Sequence, residues 1–150
     1  MNTPTFKEQF DKITRAYFND ELKPLNSCAC FIGNIFDKDS RWQWIREFDT
    51  TEDNCSRWRG IKNERYPWMR DAASEYIKFF FNGFYSCEDI INMESNFLTI
   101  WDAKGGRTEQ SLFEAMDSTL DMLRRIHESK GEIIESYEFK PRNLKEHAHL

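Results

Sequence analysis

Glu94 is the residue on which the sequence makes the sharpest chemical demand. On a helical wheel advanced by about 100° per residue it falls inside an apolar arc made by Ile90, Met93, Phe97, Leu98 and Trp101. A carboxylate in such a place has to be paired, hydrogen-bonded or protonated, because stripping its water without compensation is costly. It can therefore serve as an acid–base group or ligand anchor. It can equally serve as a helix–helix ion pair or a buried hydrogen-bond acceptor, since structural networks perturb carboxylates as readily as active sites do. The candidate ligand-binding set is Glu94 with Trp101 and His127.

His127 lies at the edge of the apolar half of a long amphipathic segment. A single histidine there is more often a boundary residue of the core than a base. Its available partners are Glu128 or a group across the bundle. Cys–His catalysis needs partners close in space, and nothing in the chain ties His127 to a cysteine; no serine-centred elbow motif occurs either. No catalytic residue is assigned.

Cys28 and Cys30 form a Cys-x-Cys pair, with Cys55 and Cys87 elsewhere. Zinc sites usually pair their thiolates through a two-residue spacer. Here the spacer is one residue and there is no second pair. In a helix the two side chains point about 200° apart, whereas in a strand they share a face. The sequence favours small buried hydrophobes over a metal site, and no metal or cofactor is expected. His147 and His149, at i and i+2 near the terminus, can hold only incidental metal.

A different chemistry is written between residues 57 and 70. Arg57, Arg59, Lys62, Arg65 and Arg70 are interleaved with Trp58, Tyr66 and Trp68. Rings for stacking and cations for phosphate suit single-stranded nucleic acid. Trp, Tyr and Arg are also the usual anchors of protein interfaces, and rings can instead face the core while arginines reach to water. With a formal charge of -5 and a pI near 5.3, the nucleic-acid reading ranks last. The interaction surface is assigned to Arg57, Trp58, Arg59, Lys62, Arg65, Tyr66 and Trp68. Gly105-Gly106-Arg107 resembles an anion nest ahead of a helix, but lacks the Lys-Ser/Thr of a phosphate loop and reads as an ordinary turn. Asp117 and Asp121 share a solvated helix face, and pairing them as metal ligands would need a partner helix contributing histidine or carboxylates.

The elements that must position these groups are helical. Thr108 to Lys130 is the clearest, with an apolar arc about 180° wide, Thr108 as N-cap, Gly131 as stop and an Asp121–Arg125 pair four residues apart. Thr5 and Glu8 open a first helix that the periodicity carries to near Leu22 before Pro24. Ser27 can cap a short helix through Phe36, although the same stretch also reads as a strand, with Gly33-Asn34 as a turn. Arg41 to Phe48 reads as another short helix. Pro67 opens a helix whose broad arc holds Trp68, Met69, Ala72, Ala73, Tyr76, Ile77, Phe79 and Phe80, ended by Asn82-Gly83. Ser86 and Asp89 open the helix that carries Glu94, and the short loop after Trp101 makes it the antiparallel neighbour of the next. Ile133 to Phe139 is a short strand or an extended arm laid on the bundle.

The fold class is therefore all-α, a bundle of four to six helices around the Thr108–Lys130 helix, with an α+β domain carrying a small sheet as the alternative. Residues 1–150 read as one globular domain with a flexible tail from about 141. Thirteen Phe and five Trp supply a core built largely of rings. No apolar run approaches membrane-spanning length, and the polar stretch from Met1 to Lys12 has no leader-like apolar region, so the expected compartment is the cytoplasm with free thiols. The function these features favour is a small intracellular interaction or regulatory protein, binding another protein or itself. The alternatives are a small-ligand-binding protein or enzyme built on Glu94, and a nucleic-acid-associated factor using residues 57–70.

Overall fold

A computed structural model describes residues 3–26, 29–42, 72–103 and 106–143. All regular structure among them is helical: α1 (Phe6–Phe18), α2 (Phe31–Ile35), α3 (Ala72–Phe79) with a 3-10 turn over Phe80–Gly83, α4 (Cys87–Asp102) and α5 (Glu109–Ser129). The fold is all-α. Among the described residues no helix is long and apolar enough to cross a membrane.

The helix starts follow from local chemistry. Thr5 caps α1, its hydroxyl accepting from the Glu8 N–H at 3.2 Å. Ser86 and Asp89 form a reciprocal capping box at α4, and Thr108 and Ser111 form another at α5. Such boxes satisfy two of the amide groups that a helix start leaves without partners. Ser111 does more, donating its hydroxyl to the Trp101 carbonyl at 2.9 Å. That bond ties the end of α4 to the beginning of α5. Asn96 donates to Ser118 and Thr119, both at 3.1 Å. With Tyr85 meeting His127 further along, these contacts fix α4 and α5 as an antiparallel pair.

Two boundaries differ from the periodicity. The first helix stops at Phe18 rather than near Leu22. Asp20 turns left-handed at φ 56°, and the Glu21 and Leu22 N–H groups fold back onto the Ala16 carbonyl at 2.8 and 3.1 Å. This return drops Leu22 into the core and satisfies carbonyls the helix end would leave open. The second helix begins at Phe31, capped by the Cys30 thiol accepting from the Gly33 N–H at 3.3 Å. Gly33 and Asn34 are helical here and do not turn. Ser27 and Cys28 lie outside the described residues, as do Cys55, Gly105, His147 and His149, the stretch after Trp42 and the helix start at Pro67.

The core is aromatic. Phe36 packs edge-on against Trp42, Tyr76 and Phe80, with ring centroids 4.9 to 5.2 Å apart. Phe31 meets Phe97 at 5.9 Å. Among the described side chains of the predicted arc, Tyr76, Ile77, Phe79 and Phe80, Phe79 is the exception. Tyr76, Ile77 and Phe80 form the buried face, and Phe79, at the margin of that face, is 61% exposed.

After α5 the chain turns at Gly131, where φ is +94°, and runs extended from Glu132 to Asn143. Glu132 sits against Phe6, Tyr137 against Phe6 and Phe10, Phe139 against Tyr17, Phe18 and Phe113, and Arg142 against Tyr17 and Glu109. The segment is an arm lying in the groove between α1 and α5, parallel to the first and antiparallel to the second. The small sheet of the alternative reading is not formed among the described residues. Arg142 anchors the arm just past the point, near 141, where the sequence predicts a tail.

Candidate functional site: a tyrosine–histidine–glutamate relay

Of the predicted groups, His127 acquires the most chemistry. Its Nε2 lies 2.8 Å from the Tyr85 hydroxyl and its Nδ1 2.9 Å from Glu132 Oε1. The same carboxylate accepts the Phe6 N–H, at 3.2 and 3.0 Å to its two oxygens. Three separate segments deliver these groups: the turn before α4, the last turn of α5, and the arm. The carboxylate occupies the N-terminus of α1, where helix amides favour negative charge.

The proton positions follow from what each partner can do. An ionised carboxylate only accepts, so Nδ1 carries the proton and donates to Glu132. Burial pushes the His127 pKa below its ordinary value, and the Glu132 carboxylate opposes that shift without reversing it. The imidazole is thus neutral near pH 7, leaving Nε2 to accept from the Tyr85 O–H. Burial raises the Tyr85 pKa, which keeps that proton in place. The order is the one familiar from hydrolytic relays, in which a carboxylate fixes the tautomer of a histidine that can then take a proton from a hydroxyl.

What differs is access. His127 is 0% exposed and Tyr85 2%. Phe6, Phe84 and Tyr85 pack around the imidazole with centroids at 6.1, 4.8 and 5.6 Å. Gln9 of α1, also buried, lies against the Tyr85 hydroxyl, although neither of its amide atoms meets hydrogen-bond geometry. The hydroxyl end of the relay is closed, and the exposed fraction belongs to the Glu132 end.

A strained turn presents Tyr85. Phe81, Asn82 and Gly83 are all left-handed, at φ 51°, 55° and 72°. Single glycines and asparagines visit this region freely, but a run that includes phenylalanine is expensive. The Phe81 ring packs on Phe80 at 4.6 Å and faces Tyr85 at 6.4 Å, and these ring contacts help to hold the turn.

The other predicted residues lie elsewhere. Glu94 is buried on α4, on the face the wheel assigned to it. Trp101 is buried at the far end of α4, beneath the Arg107 guanidinium at 4.8 Å. The antiparallel register places Trp101 beside Ser111 and His127 beside Tyr85, so those two candidates sit at opposite ends of the helix pair, on the order of 20 Å apart along the axis. Glu128, the sequence-adjacent partner offered to His127, is exposed and pairs with Arg124. Asp121 and Arg125 pair at 2.9 Å, as their spacing predicts. Cys30 is engaged as a cap, and Cys87 lies 3.5 Å from the Ser74 hydroxyl. The interaction segment Arg57, Trp58, Arg59, Lys62, Arg65, Tyr66 and Trp68 lies outside the described residues.

Sequence reasoning missed Tyr85, Glu132 and Arg142. The signal available for Glu132 was a carboxylate just beyond the Gly131 helix stop, five residues from a buried histidine. The chain matches no protein-family model, no curated protein and no solved structure.

Proposed function

We propose that this chain is a small intracellular interaction or regulatory protein that acts by binding another protein or a second copy of itself. The observation that carries this reading is the enclosure of its best acid–base group. A histidine with no exposed surface, whose hydroxyl partner is closed over by rings, holds three segments in register and offers no face to a substrate. Function then falls to contacts with other macromolecules, for which the Arg57–Trp68 segment has the residue types of a protein interface. The test is the double substitution Trp58→Ala with Arg59→Ala in the full chain. The expected result is loss of self-association or partner binding with the fold intact. Unchanged association would overturn the assignment of that segment.

A second reading rests on Glu94, whose carboxylate is carried into the buried face of α4. It makes the protein a small-ligand binder. A ligand that co-purifies in fixed proportion and is lost on Glu94→Gln would establish it.

A further inference from the structure

The Tyr85 hydroxyl is closed to molecules but not to electrons. Tyr85 is buried, yet its chain neighbour Phe84 is partly exposed and Ser86 exposed, so the phenol lies one side chain beneath the surface. Phe84 is the cover, packed edge-on with its ring centre 5.0 Å from that of Tyr85. A substrate cannot pass that ring, whereas an electron can tunnel through it. What holds an electron in a buried phenol is its proton. Taking the electron alone would leave a positive charge where no water solvates it. A buried phenol is readily oxidised only where the proton has somewhere to go in the same step.

Three groups around the hydroxyl meet that requirement. His127 Nε2, 2.8 Å away, is an unprotonated base, because Nδ1 carries the ring's proton towards Glu132. Glu132, 2.9 Å from Nδ1, supplies the charge that balances an imidazolium. Gln9, 1% exposed, lies on the hydroxyl with neither amide atom in hydrogen-bond geometry. An orphaned amide there is a cost to the resting fold. Once the hydroxyl has lost its proton, its oxygen only accepts, and the Gln9 N–H is a donor in place for it. The rings flanking the pair are Phe6, Phe81 and Phe84, which carry no O–H or S–H to quench a radical. Over the cover, the exposed Lys130 sets its ammonium 4.9 Å from the Phe84 ring centre, which favours an anionic reactant at that point.

We propose that Tyr85 is a one-electron redox site, oxidised through the Phe84 cover by an anionic outer-sphere oxidant at the surface. One electron passes from the Tyr85 ring to the oxidant, and the Oη proton moves to His127 Nε2. The products are a neutral phenoxyl radical, an imidazolium paired with Glu132, and the oxidant reduced by one electron. Return of the electron to the ring and of the proton to Oη restores the resting state. The inference goes beyond the interaction reading and does not rest on it, since the relay holds its three segments together in either case.

The test uses the full chain and hexachloroiridate, an anionic one-electron oxidant, at a fixed ratio of its oxidised and reduced forms. Electron paramagnetic resonance of frozen samples reads the radical. Wild type is expected to give a tyrosyl signal that Tyr85→Phe lacks. Gln9→Met, with the resting fold kept, is expected to lower the radical yield about fivefold, the worth of one neutral hydrogen bond. Lys130→Glu is expected to slow oxidation several-fold at low salt and to leave the equilibrium yield unchanged. No tyrosyl signal in folded wild type, or one that persists in Tyr85→Phe, would overturn the proposal. A yield unmoved by Gln9→Met would overturn the part given to Gln9, and a rate unmoved by Lys130→Glu the entry point at Phe84. Should Tyr85→Phe fail to fold, wild type with heavy-nitrogen histidine decides it by electron–nuclear double resonance. The expected radical couples to an imidazole nitrogen; one without that coupling would refute the site. The Trp58 and Arg59 test stands whatever the result, so the two readings fail separately.

Discussion

Lowering the pH from 7.5 to 5 should destabilise this protein through His127, and the size of the effect can be bounded. In the unfolded chain the imidazole titrates near its ordinary value of 6.5. In the folded chain burial holds the pKa lower. Below pH 6.5 the unfolded state therefore binds a proton that the native state resists, and stability falls as pH falls. It is recovered as pH rises above the unfolded value. Each pH unit over which that one-proton difference is complete costs about 1.4 kcal/mol. The interval from 6.5 to 5 thus sets a ceiling of about 2 kcal/mol. Other groups titrate too, so the comparison is with His127→Gln, which retains an amide near the Tyr85 hydroxyl and cannot gain charge. Urea unfolding followed by tryptophan fluorescence at four pH values gives both curves. The wild type should lose stability relative to the variant below pH 6.5, while the difference stays constant above pH 7. Parallel curves over the whole range would refute the neutral, enclosed imidazole and with it the assigned direction of the relay.

Three further outcomes follow from single residues. Gln9→Met should be neutral or stabilising by up to about 2 kcal/mol, because the buried amide lacks hydrogen-bond geometry; a comparable loss in chemical denaturation would mean that the amide is satisfied. Gly83→Ala should cost about 1–2 kcal/mol and lower the melting temperature, since φ is +72° and the added carbon would sit 3.2 Å from the Lys78 carbonyl. Asp39 is held at about 2, chiefly by hydrogen bonds from Arg41, and also accepts from the Tyr76 hydroxyl at 2.7 Å. Its contribution is present above the ordinary carboxylate value of 3.8 and should be lost as pH falls towards 2; Asp39→Asn should flatten that part of the acid-unfolding curve.

What could be read from the chain was whatever its local pattern encodes. The faces of α4 and α5, the caps at Thr5, Ser86 and Thr108, and the antiparallel pairing across the short loop depend on residues a few positions apart. The burial of Glu94 and His127 followed from the same wheels. What escaped depends on placement across the fold. Glu132 reaches Phe6 over 126 residues and Arg142 reaches Tyr17 over 125, distances at which no periodicity operates. The Asn82-Gly83 pair announced a stop, but the left-handed Phe81 that precedes it is set by its neighbours in the core and not by its own preference. The early end of α1 has the same origin: Leu22 continues the apolar pattern, yet enters the core by a folded-back chain instead of a further helical turn.

We propose that this protein works by binding other macromolecules, its buried Tyr85–His127 pair serving to hold the fold. Native mass spectrometry of the untagged protein from gentle lysis tests it most directly. The expected masses are those of whole polypeptides alone, two copies of this chain or this chain with another protein. A monomer carrying a reproducible small-molecule or metal mass in fixed proportion would contradict it.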